Sequence, residues 1–400
     1  MLKSASKQTP SYVPSREELV TAAKNLVPIL RERASATEDM GKIPDETIAD
    51  LKAAGLHKIF APRRYGGFEM DWGTHVDVSR EISRGCGSTG WISSIVLSHT
   101  WMLARFPAET QEEFWPNHPD AIISTASAGG GSLEPVDGGY IANGRWGFAS
   151  GVDHADCVLV SAKDKGMPTH HIMLLPGEFE ILYTWVAEGL KGTGSNDVVV
   201  KDQFIPASRI IDHKSFSGQK PPGSKLHDKY IYHTEMPSYF GTLLAGPLLG
   251  TARGALEQYL DSTIDRVGAM RGETIVDQVP VQIAVGEVEV RIATAELLTD
   301  QLCTMLHERG MAHEQLKGTE RLRSRQQMAY VARLCRDAVH DLSAMMGVTG
   351  QIGRNPVQRH FRDCRTVSTH GSVHYNNSMA LAGKKLLQVP TGDTLIDGYA

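Results

Sequence analysis

The chain has 400 residues, 41% hydrophobic and 22% charged, a globular balance that excludes disordered and collagenous classes and suits two or three domains. Lys and Arg number 41 against 46 Asp and Glu, a formal charge of −5 that argues against a dedicated nucleic-acid binder. Five cysteines (Cys86, Cys157, Cys303, Cys335 and Cys364) never fall at C-x-x-C spacing, so free thiols in a reducing cytoplasm are expected. The first 20 residues lack the apolar run of a secretory signal. The most apolar stretch, residues 239–252, is broken by Gly241, Gly246, Pro247 and Gly250, so no membrane span is expected.

Residues 1–118 read as helices. Ser15 and Glu18 have capping-box spacing ahead of a periodic run to Arg33, and Pro44 and Gly55 bracket a short helix. Trp91, Ile92, Ile95, Val96, Met102, Leu103 and Phe106 recur at helical spacing and predict one buried helix. Residues 119–228 change to short apolar runs separated by turn signals such as Asp137-Gly138-Gly139 and Asn143-Gly144, the pattern of about seven antiparallel strands. Residues 215–227, rich in Gly, Pro and Ser, read as a linker. Residues 229–400 return to long helices, with apolar stripes over 240–267, 288–305 and 331–345 and a shorter helix near 376–387 that completes a four-helix bundle. The fold class is α+β: a helical N-terminal domain, a central β domain and a C-terminal bundle.

A four-helix bundle invites a di-iron centre, but no Glu is followed three residues later by His, and His-Glu-x-x-His is also absent. His370 and His374 stand four apart with no third ligand at helical spacing, so no metal is expected. The runs Gly129-Gly130-Gly131 and Gly192-Thr193-Gly194 lack the third glycine and the strand-to-helix setting of a dinucleotide fingerprint.

Three stretches, in order, resemble the acyl-CoA dehydrogenase superfamily: IPDETIADLKAAGLHKIFAPRRYGG (43–67), GYIANGRWGFASGVDHADCVLV (139–160) and GVTGQIGRNPVQRHFRDCR (347–365). Dehydrogenases of that family commonly carry their catalytic glutamate just after the last motif; here Ser368-Thr369-His370-Gly371-Ser372 puts His370 at that place. With Ser150-Gly151-x-Asp153-His154-Ala155 and Gly192-Thr193-Gly194-Ser195-Asn196-Asp197, the pattern resembles another branch. That branch is the oxygenase components of two-component flavin-dependent aromatic hydroxylases, which act on hydroxyphenylacetate or on steroid A-ring phenols.

The resemblance implies reduced FMN or FAD from a separate flavin reductase, O2 as co-substrate, an aromatic small-molecule substrate and a C4a-hydroperoxyflavin kept dry until it reacts. It further implies a homotetramer. By the same resemblance Ser150 bonds flavin N5, His370 faces C4a, and His99 accepts from or pairs with the substrate phenol. Thr125 meets the flavin's pyrimidine edge, with Ser124 and Ser127 as competing assignments, and Arg266 on the first bundle helix binds phosphate. Phe148, two residues before Ser150 on a strand, shares its face and packs on the flavin or in the core. Each residue has a bland alternative: a strand-end serine, a core histidine, a surface or helix-end histidine, a solvated arginine. Oxygenation at sulfur or nitrogen, an acyl-CoA dehydrogenase and a non-catalytic helical interaction protein remain the alternatives for the whole chain.

Overall fold

Ser15 opens the first helix as its spacing predicts. Its hydroxyl accepts from the Glu18 N–H, and the Glu18 carboxylate accepts from the Ser15 N–H. In this computed structural model, which describes residues 10–163, 169–268, 272 and 274–397, helix α1 spans Arg16–Met40 and stops at Gly41, whose φ is +70°. Its buried stripe of Leu19, Ala23, Val27, Leu30 and Ala34 lies against α3 (Trp72–Gly85), with α2 (Asp45–Ala53) between them in sequence.

The predicted buried helix from Trp91 is not one α-helix. Helix α4 (Gly87–Trp91) passes into a π turn over Ile92–Val96 and a 3-10 turn over Leu97–His99 before α5 (Thr100–Leu103). The cause lies on neighbouring elements. The Ser94 carbonyl accepts from His75 Nε2 at 2.8 Å, and the Ser94 hydroxyl donates to the Leu243 carbonyl, so tertiary partners compete with the helical ladder. Helix α6 (Ala108–Phe114) closes the N-terminal set.

Eight strands follow among the described residues: β1 (Ile123–Ala126), β2 (Ala128–Val136), β3 (Gly139–Ala149), β4 (Cys157–Ala162), β5 (His170–Leu174), β6 (Glu180–Leu182), β7 (Asn196–Pro206) and β8 (Ile210–Asp212). They form two four-stranded sheets, ordered β1-β4-β5-β8 and β2-β3-β7-β6, rather than about seven strands. Pairing is antiparallel except between β1 and β4, which run parallel with Thr125 opposite Leu159. Trp146, Val158, Val160, Ile172, Val198 and Val200 fill the space between the sheets.

Residues 215–227 are not a loose linker. Helix α7 (His213–Ser217) and a 3-10 turn at Pro222–Leu226 hold Phe216 and Ser224 buried. The tie is Arg105, fully buried, whose guanidinium donates to the carbonyls of Phe216, Gly218 and Thr234 and lies 5.0 Å from the Trp101 ring centroid. Burial pulls its pKa down to about 9.

The C-terminal helices are α8 (Met236–Tyr239), α9 (Ala245–Thr263), α10 (Val279–Met311), α11 (Gly318–Met345), α12 (Pro356–Ser368), α13 (Tyr375–Leu386) and α14 (Thr394–Asp397). Two of the glycines that interrupt the apolar stretch, Gly246 and Gly250, are contact points here. A Cβ on Gly246 would sit 1.9 Å from Ser79 Oγ, and one on Gly250 would sit 2.2 Å from the Arg80 carbonyl, so only bare backbone lets α9 approach α3 this closely. The first stripe ends at Thr263, leaving Ile264 and Val267 exposed. The fourth bundle helix is α12, packed on α9 and α11, whereas α13 flanks α11 alone among those three. Among the described residues no helix is long and apolar enough to cross a membrane.

Arg105→Ala strips three buried carbonyls of their donor. We expect a loss of about 3 kcal/mol, read as a lower urea midpoint, and an unchanged midpoint would contradict this role.

Candidate active site

Where sheet and bundle meet, the loop between β6 and β7 carries a chain of hydroxyls whose direction is fixed. Thr193 Oγ1 donates to the Leu190 carbonyl at 2.9 Å, so its contact with Ser195 Oγ at 2.7 Å must use the serine's proton. Ser195 then accepts from Ser150 Oγ, 2.7 Å away. Trp91 Nε1 donates to Ser150 Oγ at 3.0 Å, which leaves that oxygen one open lone pair. Ser150 is therefore an acceptor toward anything that binds beside it. Its backbone is braced too, since the Ser124 hydroxyl donates to the Ser150 carbonyl at 2.9 Å.

The loop is pinned from the bundle. Leu190, in left-handed backbone at φ +53°, donates its N–H to Asp363 Oδ1 on α12 at 2.6 Å. Burial raises the Asp363 carboxyl to about 6. Gly192 N–H is held by the Ser88 hydroxyl at 3.2 Å.

Two histidines present opposite tautomers. His99 Nδ1 lies 2.8 Å from the Ile123 carbonyl, which only a donor can face, so Nε2 keeps its lone pair. That Nε2 stands 3.4 Å from Thr125 Oγ1, and burial lowers the His99 pKa to about 4. His370 is reversed: its Nδ1 accepts from the Ser372 N–H at 3.2 Å, so the proton of the neutral ring sits on Nε2. Burial lowers His370 as well. Its ring lies between Trp91 and Phe240, with centroids 5.9 and 6.4 Å away. Ser150 and His370 thus flank the same tryptophan.

Beside them opens a cavity of about 730 Å³, lined among others by Thr125, Ser127, Phe240, Gly371 and Ser372. The described lining contains no Asp or Glu. His171 and His213 join its wall, with Nε2 of the first 2.9 Å from Nδ1 of the second. The His171 ring also stacks on Phe216 at 4.0 Å. Burial takes His171 down to about 3.

Two predicted positions differ from expectation. Phe148 does not share the face of Ser150: it sits at φ +65° where the β3–β7 register shifts, so strand alternation fails there. Its ring is 61% exposed and meets Trp185 edge-on at 6.0 Å, which also takes it out of the core. Arg266 is not on the first bundle helix, which ends at Thr263; it lies in the turn beyond. His374 is exposed and caps α13 by accepting from the Asn377 N–H.

The order of helices, paired sheets and bundle has counterparts in known proteins. Residues 17–117 match the family "Acyl-CoA dehydrogenase, N-terminal domain", and residues 242–375 match "Acyl-CoA dehydrogenase, C-terminal domain". The chain is 32% identical over 382 residues to the oxygenase subunit HsaA of a flavin-dependent monooxygenase from Rhodococcus jostii, spanning 93% of this chain and 98% of the relative. It belongs to this family of monooxygenase oxygenase subunits. A p-hydroxyphenylacetate 3-hydroxylase oxygenase component from Acinetobacter baumannii is 28% identical, covering 97% of this chain and 93% of that one. The crystal structure of 3-HSA hydroxylase from Rhodococcus sp. RHA1 superposes with a TM-score of 0.88 at 29% identity, over 95% of this chain and 100% of that one.

In this oxygenase subunit, sequence reasoning missed Trp91 and Phe240 as site residues because each lies on an apolar stripe that reads as core. It also passed over the His171–His213 pair. His171 and His213 are 42 residues apart and meet only through the pairing of β5 with β8.

His75, His99, His171, His227 and His360 are all held neutral by burial, at about 3 to 4. Their unfolded counterparts take up protons near pH 6.5, so stability is full above about 6.5 and falls as pH drops toward 4. Asp363, raised to about 6, works in the opposite sense. The urea midpoint is expected to fall between pH 7 and pH 4, and a midpoint constant over that range would refute the assignment of these imidazoles.

Proposed function

We propose that the chain hydroxylates a phenolic or heteroaromatic small molecule with O2, as the oxygenase component of a two-component system. Reduced FMN or FAD is supplied by a separate reductase, without need of a stable complex. The observation that carries this reading is the pair of neutral imidazoles in opposite tautomers beside a cavity whose described lining lacks a carboxylate. An acyl-CoA dehydrogenase needs an anionic base to take an α-proton.

A reduced flavin suits the residues present. It is a largely flat ring system with an apolar benzenoid end and polar N–H and carbonyl groups elsewhere, and the cavity of about 730 Å³ has an apolar wall, hydroxyls at Thr125 and Ser127, and the Ser150 lone pair nearby. When bound, that group would supply the two electrons that let one oxygen atom of O2 pass to the substrate ring while the other leaves as water. Ser150, with its own proton turned away toward Ser195, would accept from the flavin N5–H and so would restrain loss of that proton. His370 Nε2–H would donate to the oxygen chemistry of the bound group. His99 Nε2 accepts the phenol proton, making the ring a better nucleophile, with Thr125 beside it. Phe148 contributes an edge at the rim, and Arg266 takes a phosphate of the cofactor. Trp91 and Phe240 keep water from His370.

The working unit is proposed to be a homotetramer in the cytoplasm, with domains divided near residues 118 and 228. Val279, Ile283, Val290 and Leu297 give α10 an exposed apolar stripe that suits packing against another copy. Sedimentation at a mass of one chain would overturn the tetramer, and recovery in a membrane or secreted fraction would overturn the location.

One assay tests the residue roles: oxidise reduced FMN with O2 and a phenol, and measure hydroxylated product against H2O2. Ser150→Ala is expected to raise H2O2 per flavin by about tenfold, the worth of one hydrogen bond. Ser195→Ala moves the same ratio in the same direction by freeing the Ser150 proton. His99→Ala is expected to slow product formation by about 100-fold. Wild-type protein that releases only H2O2 with every phenol tried would sink the proposed function.

A further inference from the structure

Positive charge near the cavity is already matched within the protein. Of the described lining residues, Arg325 is the one drawn from Asp, Glu, Lys and Arg. Its Nη1 lies 2.7 Å from Asp393 Oδ2. Asp393 is itself fixed: Oδ1 accepts from the Leu395 N–H at 3.0 Å, and its own N–H donates to Thr391 Oγ1 at 3.1 Å. The turn that carries it is anchored by Ile396, buried against Leu322 and Ala382. Behind the lining Ser238, Arg321 donates to the serine hydroxyl at 3.0 Å and pairs with Glu235. The remaining wall is rich in Met102, Met236, Met328, Phe240 and Leu381, soft apolar surface that adapts to a bulky ring.

A carboxylate entering this space sheds its water and meets a guanidinium already committed to a fixed carboxylate. An uncharged phenol loses little hydration and gains apolar contact. We propose that the cavity selects uncharged phenols, and that Asp393, by occupying Arg325, is the positioning residue that sets this selection against phenols bearing a carboxylate. The inference rests on the aromatic-substrate reading above and adds the charge class of the substrate.

Two probes with the same phenol ring but different charge test it: 4-hydroxyphenylacetate and its methyl ester, titrated calorimetrically under argon into protein saturated with reduced FMN. Wild-type protein is expected to bind the ester about 100-fold more tightly than the acid. Asp393→Asn keeps the cap on Leu395 but frees the guanidinium, so the ratio should narrow by about tenfold through tighter acid binding. Adding Arg325→Gln to that variant should restore the preference for the ester, a reversal that mere loosening of the C-terminal turn would not give. Equal binding of the two probes by wild-type protein, or an unchanged ratio in Asp393→Asn, overturns the selection while leaving the aromatic-substrate reading intact. Failure of either probe to bind at millimolar concentration counts differently by case: loss of both overturns the aromatic reading and the selection with it, whereas loss of the acid alone is the expected selectivity.

Discussion

The contact between Asp363 and the Leu190 N–H holds the site together. It joins the fourth bundle helix to the β6–β7 loop at 2.6 Å and keeps Leu190 in a left-handed conformation that a leucine rarely adopts. From Leu190 the order passes outward: its carbonyl takes the Thr193 proton, Thr193 takes that of Ser195, and Ser195 takes that of Ser150. A carboxyl on one domain thereby decides which way a hydroxyl points on another. The neighbouring Glu38, on α1, lies against Arg359 and Arg362 of α12, so the N-terminal helices are fastened at the same corner.

Directionality is the common feature of this arrangement. Hydroxyls and neutral imidazoles can each donate or accept, and a site made of them is ambiguous until something orients every proton. Here carbonyls and backbone N–H groups do so, through Leu190 for the hydroxyl chain, Ile123 for His99 and Ser372 for His370. The outcome is an acceptor at Ser150, an acceptor at His99 and a donor at His370, all uncharged. Charge is handled in the same manner, with Arg325 and Arg321 each answered by a carboxylate. A site whose protons are each assigned in this way suits the proposed oxygen chemistry, because no donor near it is left unoriented.

The amino-acid sequence carried the element order and several local details on its own, since these depend on neighbours in the chain. The Ser15–Glu18 capping box, the Pro44 and Gly55 bracket around α2 and the periodic faces of α1, α10 and α11 follow from spacing alone. Motif resemblance singled out Ser150, His99, His370 and Thr125 as a set for the proposed site but said nothing of the positions of their protons.

Tertiary structure decided what depends on groups distant in sequence. The π turn after Trp91 arises because His75 and Leu243 engage Ser94, and no local pattern announces that competition. The register shift that turns Phe148 outward is set by pairing with β7, and the order in residues 215–227 comes from Arg105 reaching three carbonyls. Local periodicity fixes which residues can be buried. Which polar atoms then face one another, and so which of them donate, is settled only when the sheets and the bundle close on each other.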